Sequence, residues 1–263
     1  MSKELIEYRS VLHQNGEIFL LNFKEEFAAF GETDKYFQKF GEIISTQRMK
    51  NGKTLVGLIP LLMIMQRQYR NAFRNISVFQ SYQAWVLLRP AIESALVMGK
   101  WLDDLSNFEV WKKHENNWKD YQKIYQGINM VSESLPDSSD IQKVLKHIND
   151  DFMHTNPSYY RRHSQLIDVD EKNVGMYVTY IDDKQDHCAH LYAFLHVTLF
   201  ILKSVGKMLS KSYPDHLSFE VNLQKLQSVF SNKVKEIVKS NDEHRKVLEE
   251  LGLWPNNLLE PMP

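Results

Sequence analysis

QAWVLLRPAIESALVMGKWL, residues 83–102, decides how this chain folds. Its apolar side chains occupy most positions, with neither the alternation of a strand nor the single stripe of a surface helix. That is the pattern of a helix covered on most sides. Extended to Val78–Asp104, it is the central helix of the fold, and it needs amphipathic partners. The flanking sequence supplies them. Upstream, Thr54 to about Ser77 reads as a helix whose first half is apolar all round, with Pro60 near its start, where a missing N–H costs least. Further upstream, Leu20, Phe23, Phe27 and Phe30 share one helical face, and Phe37, Phe40, Ile44 and Gln47 share another. Breaks are expected near Gly31 and at the turn Lys50-Asn51-Gly52-Lys53.

Downstream, Asn107 to Ile128 is predicted as one helix with Phe108, Trp111, Trp118, Tyr121 and Tyr125 largely on one side, the pattern of core aromatics. SESLPDSS, residues 132–139, is linker chemistry, and Ser138 or Ser139 is positioned to cap a helix through Phe152. A long helix follows from about Asp183 to Lys211. Another spans Phe219 to Lys239, where Leu223, Leu226, Phe230, Val234 and Ile237 recur by three and four like a packing seam. Gly175 to Ile181 is the one strand-like run, and an isolated strand makes no sheet. Gly252 and Pro255 close a last short helix before the tail, residues 253–263. The expected fold is all-α, a single bundle of eight or nine helices over residues 1–263, with an N-terminal helical pair, 1–50, packed on a core bundle, 54–250.

Composition narrows the function classes. With 32 Lys and Arg against 33 Asp and Glu, the formal charge is −1, so no whole-protein field draws the chain to DNA or to an anionic membrane. A single Cys excludes an intramolecular disulfide framework. The opening MSKELIEYRS carries both signs of charge and no apolar core of a secretory signal, so a cytoplasmic location is expected. The apolar run Leu55–Met65 falls short of the roughly 20 residues a spanning helix needs. Cys188–Leu202 carries His190 and His196, which are costly at bilayer depth, so both stretches read as buried helices and no membrane span is expected.

Most catalytic signatures are absent. Asn51-Gly52-Lys53-Thr54 ends like a phosphate-binding loop but has Gln47 where that loop needs glycine. No G-x-S-x-G, H-E-x-x-H, G-x-G-x-x-G or paired C-x-x-C occurs. Three departures from a bland helical pattern remain. Arg89 and Glu93 stand four apart, on one face of the most apolar helix, where an unpaired charge would be strongly destabilising. Pro90 between them removes the hydrogen bond to the Val86 carbonyl. Asp183, His187 and His190 share a face at spacings of four and three, and two imidazoles with a carboxylate suit zinc or iron between helices. Glu93 or His154 would complete such a set. Finally, the loop DFMHTNPSYYRRHS, residues 151–164, concentrates His154, Asn156, Tyr159, Arg161 and Arg162, types suited to phosphate contact and ring stacking.

The order LLRPAIESA (87–95), an aromatic helix, FMHTNPS (152–158) and a long apolar helix resembles a large bacterial family of uncharacterised helical proteins. Members show an LLR…E helix followed by a short loop with histidine. That family is distantly similar to the HEPN bundles, many of which are ribonucleases or nucleotide-binding modules of toxin–antitoxin and phage-defence systems. The resemblance covers roughly residues 55–210 and carries over Arg89, Glu93 and His154. The R-x(4–6)-H motif of the active ribonucleases is missing here, so what the resemblance implies is binding or assembly. The leading expectation is a small anionic or nucleotide-like ligand, or a protein or RNA partner, at Arg89, Glu93 and His154. The alternatives are a metal-dependent hydrolase built on Asp183, His187 and His190, and a homodimeric scaffold joined through the Leu223–Ile237 seam.

Overall fold

A computed structural model describes residues 2–46, 57–153, 164–168, 174–178, 182, 184–212 and 220–240. Among them are nine α-helices. These are α1 (Lys3–Asn22), α2 (Lys24–Thr46), α3 (Leu58–Ile76), α4 (Ser81–Asp103), α5 (Ser106–Lys112), α6 (Trp118–Tyr125), α7 (Ser138–Phe152), α8 (Lys184–Ser212) and α9 (Glu220–Ser240). A single 3-10 turn, Gly127–Met130, joins α6 to the linker before α7. The expected all-α bundle is the fold.

One detail differs. The strand-like run overlaps β2 (Val174–Val178), which is not isolated: it pairs antiparallel with β1 (Ser164–Asp168), Leu166 standing opposite Met176. Polar Ser164, Gln165 and Asp168 hide the partner strand from an apolar pattern search.

The helix that opened the sequence reading is the hub. α4 packs against α3, α7 and α8, and it buries Trp85, Leu88, Ala91, Ile92, Ala95 and Trp101 completely or nearly so. α8 is the second central helix, with Leu191, Phe194, Val197, Ile201 and Val205 in the core. Its stretch Asp186–Lys211 has the length and hydropathy of a spanning helix, and in this fold 89% of that window is packed inside the protein. The seam of α9 is occupied within the chain, since Leu223, Phe230 and Val234 are buried and α9 lies along α8.

Two helix boundaries move. The first break falls at Phe23, with φ −123° and ψ 44°, and α2 runs straight through Gly31. A glycine in an exposed helix costs about 1 kcal/mol. That is less than what α2 gains by keeping Phe30 stacked on Phe73 (3.8 Å) and Phe37 against Tyr69 (5.2 Å). The expected helix 107–128 is instead α5 and α6, separated by a turn in which the Asn117 N–H donates to the Lys113 carbonyl. The intervening residues are polar throughout, so nothing pulls them onto the core. Trp118, expected inside, is half exposed and stacks on Tyr121.

The linker before α7 also departs from the simple cap. The residue preceding the helix is Asp137, in the left-handed region at φ 59°, and its carboxylate accepts from Ser204 on α8 (3.1 Å). Ser138 turns back instead: its hydroxyl donates to the Ser132 carbonyl and accepts from the Ser132 N–H. Asp103 at the end of α4 accepts from the Ser132 hydroxyl and from the Ser134 and Glu133 N–H groups, fixing α7 relative to α4.

Candidate functional site

Arg89 and Glu93 form the expected pair, with Nη2 2.8 Å from Oε1. They are not sealed in the core. Their side chains are 35% and 34% exposed, at the flank of α4 beside the fully buried stripe of Leu88, Ala91, Ile92 and Ala95. An apolar composition all round cannot reveal which flank a helix leaves uncovered, and here that flank opens into a cleft.

The cleft has a volume of about 610 Å³ and is walled by α4, by the α6–turn segment with Tyr125, Gly127 and Ile128, and by α7 with Gln142, Lys146, Asn149 and Asp150. Lys143, also on its rim, is held by Asp140 at 2.7 Å. Lys146 has no acidic partner among the described residues. Arg89 has one commitment, to Glu93, while its Nε is buried with no hydrogen-bond partner among the described residues. Burial raises the proton affinity of the Glu93 carboxyl, and the neighbouring Arg89 charge only partly offsets it. Tyr121 is likewise held above the ordinary phenol range, first by burial and then by the Glu93 charge nearby. Pro90 does not interrupt α4, and its own carbonyl accepts from the Ser94 hydroxyl at 2.7 Å.

The α8 histidines lie elsewhere. His187 is buried against three rings, Phe79 at 4.0 Å, Phe23 at 5.4 Å and Phe19 at 6.0 Å, and neither of its nitrogens has a hydrogen-bond partner among the described residues. That apolar setting pushes its pKa down to about 4. His190 instead accepts from the Trp85 indole N–H at 3.1 Å through Nδ1. Trp85 lies eight residues before Glu93, or about 12 Å along the α4 axis. Among the described residues no three His, Cys, Asp or Glu side chains come together in a group able to hold a metal, so His187, His190 and Glu93 do not converge.

His154, Asn156, Tyr159, Arg161, Arg162 and Asp183 lie outside the described residues. Of the sequence-derived candidates, the structure thus brings together Arg89 and Glu93. It adds Gln142, Lys146 and Asn149, which sequence reasoning missed. Their signal was available: spacings of four and three place them on one polar face of α7. What the sequence did not contain was the docking of that face against the Arg89 flank of α4.

Comparison of the chain with protein-family models, with curated proteins and with solved structures found no match to any of them.

Proposed function

We propose that this chain is a binding protein that takes a small anionic, nucleotide-like ligand in the cleft beside Arg89 and Glu93. The observation that carries the reading is the half-used guanidinium, partly exposed on the cleft wall: Nη2 is tied to Glu93, and no other side chain is paired with it among the described residues. An anionic oxygen is the acceptor that an available guanidinium N–H binds best. Glu93 orients the guanidinium. Lys146, on the facing helix, supplies a second cation that no carboxylate among the described residues pairs with. The apolar side chain of Ile128, largely exposed at the mouth, offers a surface for a flat ring. The cleft's volume lies within the range of about 300–1,000 Å³ usual for small-molecule sites.

The test uses isothermal calorimetry with ADP and with pyrophosphate as probes. Wild type is expected to bind at least one of them saturably. Arg89→Ala abolishes the heat, Lys146→Gln weakens binding about tenfold, as loss of one charge-assisted contact does, and Arg67→Ala, an exposed arginine of α3, changes nothing. Absence of binding to both probes, or equal effects of Arg89→Ala and Arg67→Ala, refutes the reading.

A further inference from the structure

A second cleft lies along α1, the helix with the fewest buried residues among the long ones. α1 buries only Phe19 of its 20 residues. Among the described residues, two polar contacts add to that ring: Asn15 Nδ2 donates to the Val78 carbonyl (3.3 Å) and Gln80 Nε2 donates to the Tyr8 hydroxyl (2.6 Å). Between α1 and the end of α3 this leaves a groove of about 770 Å³. Leu12, Leu20, Phe27 and Leu87 give it apolar walls, and Leu20 and Phe27 are each 49% exposed there. Aliphatic and aromatic surface left open in a concavity marks a contact site.

The charges select the occupant. Arg9 on α1 and Arg74 on α3 both line the groove, and neither has an acidic partner among the described residues. One carboxylate, Glu17, also lines the groove, 3.5 Å from His13, which balances its charge only when protonated, so the two arginines outnumber it. Two uncompensated guanidiniums beside an apolar trough complement a molecule with an anionic head and an aliphatic body.

We infer that the groove between α1 and the end of α3 binds a single-chain amphiphilic anion, with the head between Arg9 and Arg74 and the chain along Leu12, Leu20 and Phe27. It lies on a different side of α4 from the Arg89 cleft and does not depend on the function proposed for that cleft.

Calorimetry with monomeric dodecanoate, below its micelle threshold, tests the groove on the full chain. Dodecanoate is expected to bind saturably, whereas butyrate, with the same head and no chain, and dodecyltrimethylammonium, with the same chain and a cationic head, bind at least about tenfold more weakly. The double variant Arg9→Gln/Arg74→Gln and the variant Leu20→Ser each weaken dodecanoate binding about tenfold or more. All three positions are exposed, so circular dichroism melts of these variants should match wild type. Arg89→Ala leaves dodecanoate binding unchanged. Equal binding of the anionic and cationic amphiphiles overturns the inference, as do variants that bind like wild type. Co-sedimentation with phosphatidylglycerol vesicles is the second arm. Binding to both monomer and vesicles assigns the lipid source to membranes, and binding to monomer alone assigns it to free amphiphile. Binding to vesicles without monomer binding overturns the groove as the site.

Discussion

Replacing His187 with phenylalanine should remove a pH-dependent weakness from the fold. The imidazole sits among Phe19, Phe23 and Phe79 with neither nitrogen paired among the described residues, and burial lowers its pKa from 6.5 to about 4. In the unfolded chain His187 takes up a proton as the pH falls below its ordinary value. In the folded chain it stays neutral until about pH 4. The unfolded state therefore binds more protons between those limits, and folding stability falls as pH falls through that window. The gap, at about 1.4 kcal/mol per tenfold change in proton affinity, corresponds to a destabilisation of about 3 kcal/mol, fully developed below pH 4 and absent above pH 6.5. Urea unfolding of wild type and His187→Phe at about pH 7.5 and about pH 4.5 isolates this contribution, because every other titrating group is common to both proteins. The variant should gain about 2–3 kcal/mol relative to wild type on moving to the lower pH. The absolute difference near neutrality combines relief of two unpaired nitrogens with the larger ring and is not the readout. A stability difference between the two proteins that is the same at both pH values refutes the reasoning.

Two further substitutions probe how α4 holds the linker to α7. A Cβ added at Gly99 would stand 2.6 Å from the Ser132 hydroxyl oxygen and 2.8 Å from the Leu135 Cβ, both buried, so Gly99→Ala should cost about 1–3 kcal/mol. Gly41→Ala, on α2 with nothing within 4 Å, should stabilise by about 0.5–1 kcal/mol, and thermal melts of the two variants give the contrast directly. Asp103→Ala removes the acceptor of three hydrogen bonds from residues 132–134 and should cost about 2–3 kcal/mol in urea unfolding, with hydrogen exchange quickening first in that linker.

Much of the fold was legible because helical burial leaves a periodic record. The all-round apolar character of residues 83–102, the apolar run that became α8 and the three-and-four spacing of α9 each mark how much of a helix is covered, without naming what covers it. The Leu223–Ile237 seam shows the difference: its spacing identifies a packed face, and α8 of the same chain is the partner. Gly31 and the span 107–128 show where local chemistry misleads. Aromatic packing carries α2 through a glycine, and a polar stretch divides α5 from α6 although the aromatic spacing continues across it.

The candidate site was legible only in half. Spacing alone placed Arg89 beside Glu93, since residues four apart on a helix meet whatever surrounds them. The same rule put His187 and His190 on one face of α8, but their environments come from other segments: phenylalanine rings of α1, the α1–α2 break and the α3–α4 turn for one, the Trp85 indole for the other. Sequence by itself determined the helical class, the central helix and the ion pair, because these depend on neighbours within a few residues. Only the tertiary structure decided that the pair faces a cleft, that Lys146 closes its far wall and that the α8 histidines do not converge on Glu93. Those facts depend on contacts between segments distant in the chain, and side-chain periodicity carries no information about which helix lies opposite.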